Sequence, residues 1–248
     1  MDAQTSRYLL LKLAETLGVV AVILIAGTSQ RLQYRSVQFK YPQREGRVSI
    51  SVYLVALAVA VLFSFTAFKD RFLTVETNQL LTGELILALV CLGVGAFALF
   101  YRHQPLLSAG WGAKPNLVLG LRIAVMLIFL TIFLRGKLMS IVNGVTADEG
   151  MALALLLGIS LAEETLFRGY LQLRMGSWLG QPAGWLAASG MFILWRLPWL
   201  IVSAEILWLS LAVLIVQSLL LGWIMQKTGH TTAPALYRAV SDWLTIVK

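Results

Sequence analysis

The chain has 248 residues, of which 58% are hydrophobic and only 13% charged, with a net charge of +8. Soluble domains average about 25% charged residues, so this composition excludes an ordinary soluble protein and indicates an integral membrane one. Its basic residues are spread over connections and helix ends, a pattern that fits anionic headgroups of a lipid bilayer rather than nucleic acid.

The apolar runs lack the strict alternation of outer-membrane strands and several approach the roughly 20 residues of a membrane helix, so an all-α, polytopic bundle is expected. The first span is expected from about Tyr8 to Gly27, with Lys12 and Glu15 near its start. A basic connection, Thr28 to Arg47, reads as a solvated segment near headgroups. Spans from Val48 to Phe68, Leu80 to Tyr101 and Leu117 to Leu134 follow; Glu84 lies near one end of the third and Arg122 near one end of the fourth.

Asp148 and Glu149 suit the positive N-terminal end of a fifth helix, which leads through Met151 to Ala162 into Glu163, Glu164 and Arg168 and on to about Met175. Gly176 to Gly184 is expected to turn the chain. A sixth helix, Ala183 to Leu197, contains Arg196 deep in an apolar run and should be disturbed at Pro198. The seventh, Glu205 to Met225, has Gln217 and Ser218 as its mid-helix polar groups. Thr231 or Thr232 can cap the last helix, with Pro234 in its first turn. The expectation is thus about eight membrane helices in one integral membrane domain, 1–248.

Charge at membrane depth costs about 2.5–3.5 kcal/mol per group on insertion scales, so the charged residues of the last helices need partners inside the protein. Glu164 and Arg168 stand four apart, acid before base, as do Arg238 and Asp242 in reverse order. Glu163 points about 100° away from Glu164 and faces something else. The acids Glu163, Glu164 and Asp242 balance the bases Arg168, Arg196 and Arg238. Such a set reads either as a salt-bridged clasp or as a site in which Glu163 activates water and the bases hold an oxyanion.

Glu163-Glu164-x-x-x-Arg168-Gly169-Tyr170, then Phe192 and Arg196 at helical spacing, then Arg238-x-x-x-Asp242, resembles the motif set of the CAAX-protease and bacteriocin-processing (CPBP) family of glutamate-type intramembrane endopeptidases. Gly222 and the turn Lys227-Thr228-Gly229 add to the likeness, which covers residues 117–248. The resemblance implies a CAAX-protease-like helical bundle and catalytic positions at Glu163, Glu164, Arg196, Arg238 and Asp242, with Arg168 and Phe192 in the structural cluster. Two positions depart from the family. Where it carries histidines this chain has Arg196 and Arg238, and its own histidines, His103 and His230, lie outside the motifs.

The departure has a chemical consequence. An arginine is permanently charged, and a guanidinium beside a carboxylate stabilises the anion and weakens it as a base. Zinc prefers imidazole or thiolate ligands, so no metal and no other cofactor is expected, and the single Cys91 adds no ligand cluster. The expected function is therefore that of a proteolytically impaired CPBP-like protein, a pseudoprotease that acts as a binding or regulatory partner for a membrane protein or peptide. The alternatives are an active endopeptidase in which Glu163 activates water, and a transporter or channel; the last lacks paired broken segments in matching halves.

Overall fold

A computed structural model describes residues 3–27, 37–66, 77–112, 114–203 and 207–247. Every regular element among them is helical: α1 (Ala3–Gly27), α2 (Pro42–Thr66), α3 (Thr77–Tyr101), α4 (Lys114–Leu134), α5 (Leu138–Val142), α6 (Ala147–Glu164), α7 (Gln172–Leu179), α8 (Gln181–Ser203), α9 (Leu207–Thr228) and α10 (Thr232–Trp243). A 3-10 turn, Leu106–Ala109, precedes α4, and a π-helical segment, Thr165–Leu171, joins α6 to α7.

Six helices among the described residues are long and apolar enough to cross a membrane. Of the two remaining expected spans, the first contributes a shorter apolar stretch, Leu13–Ile25. The last, α10, has 12 residues, about 18 Å at 1.5 Å each, against a hydrocarbon core of about 30 Å. Large apolar side chains such as Phe97, Phe129, Phe133 and Trp208 face outward, as the hydrocarbon region demands. The protein is an integral, multi-pass membrane protein.

The run from Ala162 to Gly176 is buried without interruption, which places the α6–π–α7 rod at the centre. Three apolar clusters surround it. Tyr53 and Ala56 of α2 pack with Cys91, Phe167, Phe192 and Trp195. Ala88 of α3 packs with Leu156, Ile159 and Trp243. Val19 and Ile23 of α1 meet Ile123, Leu127, Leu221 and Tyr237.

Helix boundaries differ from the sequence expectation in instructive ways. α2 begins at Pro42, inside the segment expected to be a loop; residues 28–36 of that segment, like the expected span ends at Phe68 and Glu205, lie outside the described residues. Glu45 is the reason: it is buried and bound by Arg102 at 2.5 Å and Arg174 at 3.3 Å, so the first turn of α2 belongs to the packed protein. The turn after α7 is a single residue, Gly180 at φ +90°, rather than the stretch from Gly176 to Gly184. α8 also runs from Gln181 through Pro198 to Ser203 rather than from Ala183 to Leu197. Prolines are tolerated in membrane helices because neighbouring helices and local adjustments re-satisfy the freed backbone groups.

Two local devices fix the rod, one at its start and one at its middle. The Thr146 hydroxyl accepts from the Glu149 backbone N–H, and the Glu149 side chain returns to the Thr146 backbone, a reciprocal cap that starts α6. Within the π segment, Gly169 lies against the 3-10 turn so closely that a Cβ there would stand 1.9 Å from the Ala109 carbonyl oxygen. Only glycine fits, which accounts for the glycine after Arg168.

Candidate functional site

The rod presents Glu163 and Glu164 on different faces, and helices distant in sequence close around each. Glu164 and Arg168 pair within the rod at 3.2 Å, and both are fully buried. Arg168 Nη2 donates to the Ser218 hydroxyl at 3.0 Å and Nη1 to Ser189 at 3.5 Å, so α8 and α9 complete its coordination. The Phe192 ring lies under two guanidiniums, with Arg168 Cζ at 5.1 Å and Arg238 Cζ at 5.0 Å from its centroid. Within about 6 Å a cation is attracted to the ring face, so Phe192 acts as an apolar spacer that tolerates both charges.

Glu163 faces the two arginines that stand at the histidine positions of the resemblance. Arg196 Nη2 reaches Glu163 Oε1 at 2.7 Å, and Arg238 Nη1 reaches Oε2 at 2.5 Å. The same Arg238 nitrogen lies 3.3 Å from Glu164 Oε1, bridging the two glutamates. Asp242 is looser: its Oδ2 is 3.6 Å from Arg238 Nε, and its Oδ1 accepts from Gln217 at 3.3 Å. All six charged residues singled out in the sequence therefore meet, together with Phe192.

Sequence reasoning missed a seventh member. Glu84 of α3 binds Arg196 Nη1 at 3.1 Å, so that guanidinium is clamped between two carboxylates. The signal was present, since an acid inside a hydrophobic run is a site candidate by default, but spacing along the chain could not assign its partner. Glu84 also alters the charge count. With Glu163, Glu164 and Asp242 it makes four carboxylates against three guanidiniums, so this described cluster carries one formal negative charge rather than the balance expected from the motifs alone.

Three cavities touch the cluster, one of them, of about 360 Å³, only at Asp242. One of about 10 Å³ lies beside Glu163, Glu84, Arg196 and Trp195. A larger one, about 370 Å³, is lined by Glu84, Ser160, Arg196, Gln217, Arg238 and Asp242 among apolar neighbours, and Glu163 is not part of its wall. Among the described residues no group of three or more His, Cys, Asp or Glu is arranged to hold a metal ion.

His230 lies apart from the cluster, in the turn before α10. Its Nδ1 accepts from the Thr232 backbone N–H at 3.2 Å and contacts the Thr232 hydroxyl at 2.6 Å, while Trp111 packs edge-on at 5.6 Å. This ring, rather than a threonine side chain, caps α10; Thr231 makes no side-chain cap and instead bonds Gly110 through its backbone and hydroxyl. Burial lowers the His230 pKa below its usual value, which keeps the acceptor lone pair available.

No curated protein and no solved structure matches the chain. Residues 148–244, the part that carries Glu163, Glu164, Arg168, Arg196, Arg238 and Asp242, match the family model of type II CAAX prenyl endopeptidase Rce1-like proteins, and that stretch is what the chain shares with the family.

Proposed function

We propose that this protein is a proteolytically impaired member of the Rce1-like group, a membrane-embedded pseudoprotease that binds or regulates a membrane protein or peptide. The observation that carries the reading is the state of Glu163, whose two oxygens lie 2.7 Å from Arg196 and 2.5 Å from Arg238. A general base must bring a lone pair within hydrogen-bond reach of the proton it takes, directly or through one water. Here both oxygens already face permanent cations, and the residue is 2% exposed.

Room for the attacking water is also short. The cavity beside Glu163 measures about 10 Å³, at the lower limit of the space one water needs. The ion pairs instead join α3, the central rod, α8 and α10, which suits a scaffold whose value lies in a fixed shape. The test is incubation of purified protein with lipid-modified and unmodified C-terminal peptides, followed by mass spectrometry. No cleavage is expected from the unmodified protein. Turnover that disappears in Glu163→Gln would overturn the reading in favour of an arginine-assisted endopeptidase.

A further inference from the structure

The uneven charge of the cluster is not spread evenly over its members. Glu163 and Glu164 each contact two guanidiniums, and Glu84 holds Arg196 at 3.1 Å. Asp242 is the exception. Its nearest guanidinium nitrogen is 3.6 Å away, beyond direct hydrogen-bond distance, and its side chain is 38% exposed. The excess negative charge is therefore most available at Asp242, on the wall of the cavity of about 370 Å³.

A second observation points to an occupant of that cavity. Ser160 lies on the same wall, is 1% exposed, and its hydroxyl has no hydrogen-bond partner among the described residues. Most buried polar side chains are satisfied, so an orphaned hydroxyl in the wall that also carries an under-compensated carboxylate marks a place where a polar group is wanting. Leu156, Val213, Leu214 and Ile246 make the rest of the wall apolar. The space is many times what one water needs, which leaves room for a chain of about ten carbons.

We propose that this cavity binds a lipid-soluble monocation, an apolar chain ending in a protonated primary amine, with the ammonium on Asp242. The inference rests on reading the same site as a binding module rather than a protease. An ammonium offers three donors, which suits a carboxylate and a hydroxyl acceptor, and one positive charge cancels the excess of the cluster. A neutral alcohol leaves that charge uncompensated, and an anion adds to it.

The experiment is thermal unfolding of the full chain in nonionic detergent with decylamine, and with 1-decanol as the uncharged probe of equal length. A ligand that binds only the folded state raises the midpoint in a concentration-dependent way, here by a few degrees at saturation. Decylamine is expected to do so and decanol not. Asp242→Asn, which keeps an oxygen for Gln217, is expected to abolish the response. Ser160→Ala is expected to unfold at the wild-type midpoint without ligand and to need several-fold more decylamine. An equal response to decanol, no response to decylamine, or an undiminished response in Asp242→Asn would each overturn the proposal. Peptide turnover is measured on the same preparations, so loss of amine binding without turnover removes this inference alone. Turnover removes the pseudoprotease reading.

Discussion

Glu164 is the residue on which the cluster leans most heavily. It is fully buried and holds Arg168 at 3.2 Å and Arg238 at 3.3 Å. Arg168 has two serine hydroxyls and the Phe192 ring besides, none of which carries a negative charge. Removing one partner of a buried ion pair strands the other, at a cost of about 3–5 kcal/mol. Glu164→Ala is therefore expected to lower stability by that amount in detergent unfolding, and Glu164→Gln by less, because the amide oxygen still accepts. A wild-type midpoint in Glu164→Ala would mean that the cluster is not a clasp. This pair was legible in the sequence because its members stand one helical turn apart. The Glu84–Arg196 contact was not, because its residues are 112 positions apart and α3 and α8 are brought together through the π segment and α2, against which both pack.

At the scale of elements, the central rod departs from regular α-helix where it passes the 3-10 turn. The Gln172 backbone N–H donates to the Phe167 carbonyl, five residues back, at the end of the π segment. Such segments occur often at functional sites. Gly169→Ala is expected to destabilise by at least the 1–3 kcal/mol typical of overpacking, because the atoms in the way are backbone atoms of Ala109. Thermal unfolding measures it, and a neutral result would show that the 3-10 turn yields freely. The junction of α9 and α10 gives a prediction in pH. His230 is buried and its folded-state pKa is lowered, so its contribution to stability is present above the unfolded value, near 6.5. It is lost as pH falls through the folded value, since protonation removes the acceptor for the Thr232 N–H. The unfolding midpoint is expected to drop on acidification below about pH 6.5, and less so in His230→Ala. An identical pH profile in that variant would reassign the acid sensitivity. From sequence, the capping role was assigned to Thr231 or Thr232, because hydroxyl caps are the commoner device and nothing local distinguishes a ring that folds back from two positions away.

For the whole molecule, composition alone specified a helical membrane protein, because apolar runs and scarce charge have few other solutions in a bilayer. What stayed hidden was the set of long-range ion networks that lock the bundle. Glu15 of α1 takes Arg135 after α4 at 2.7 Å, with the Ser241 hydroxyl of α10 donating at 3.1 Å. Glu45 of α2 gathers Arg102 and Arg174. The central cluster joins α3, the rod, α8 and α10. Glu15, Glu45 and Glu84 look from sequence like charges at helix ends or in connections, and only the arrangement of helices in space gives them their partners.

The charge of the central network sets what a return to histidine would do. With neutral imidazoles, Arg196→His and Arg238→His together remove two cations and leave Glu84, Glu163, Glu164 and Asp242 facing Arg168 alone. Uncompensated buried charge costs several kcal/mol per ion, so restoring the histidines of the family motif is expected to cost stability rather than simply restore activity. The double variant should show a lower thermal midpoint and a smaller monodisperse fraction on gel filtration than either single variant. Adding Glu84→Gln removes one of the stranded carboxylates and is expected to recover part of the loss. In the wild type the same Glu84→Gln change breaks the 3.1 Å pair with Arg196 and is expected to destabilise. The sign of the Glu84→Gln effect should thus reverse between the two backgrounds. A uniform sign would show that Glu84 acts on stability independently of the arginines, and that the two substitutions are not electrostatically coupled to α3.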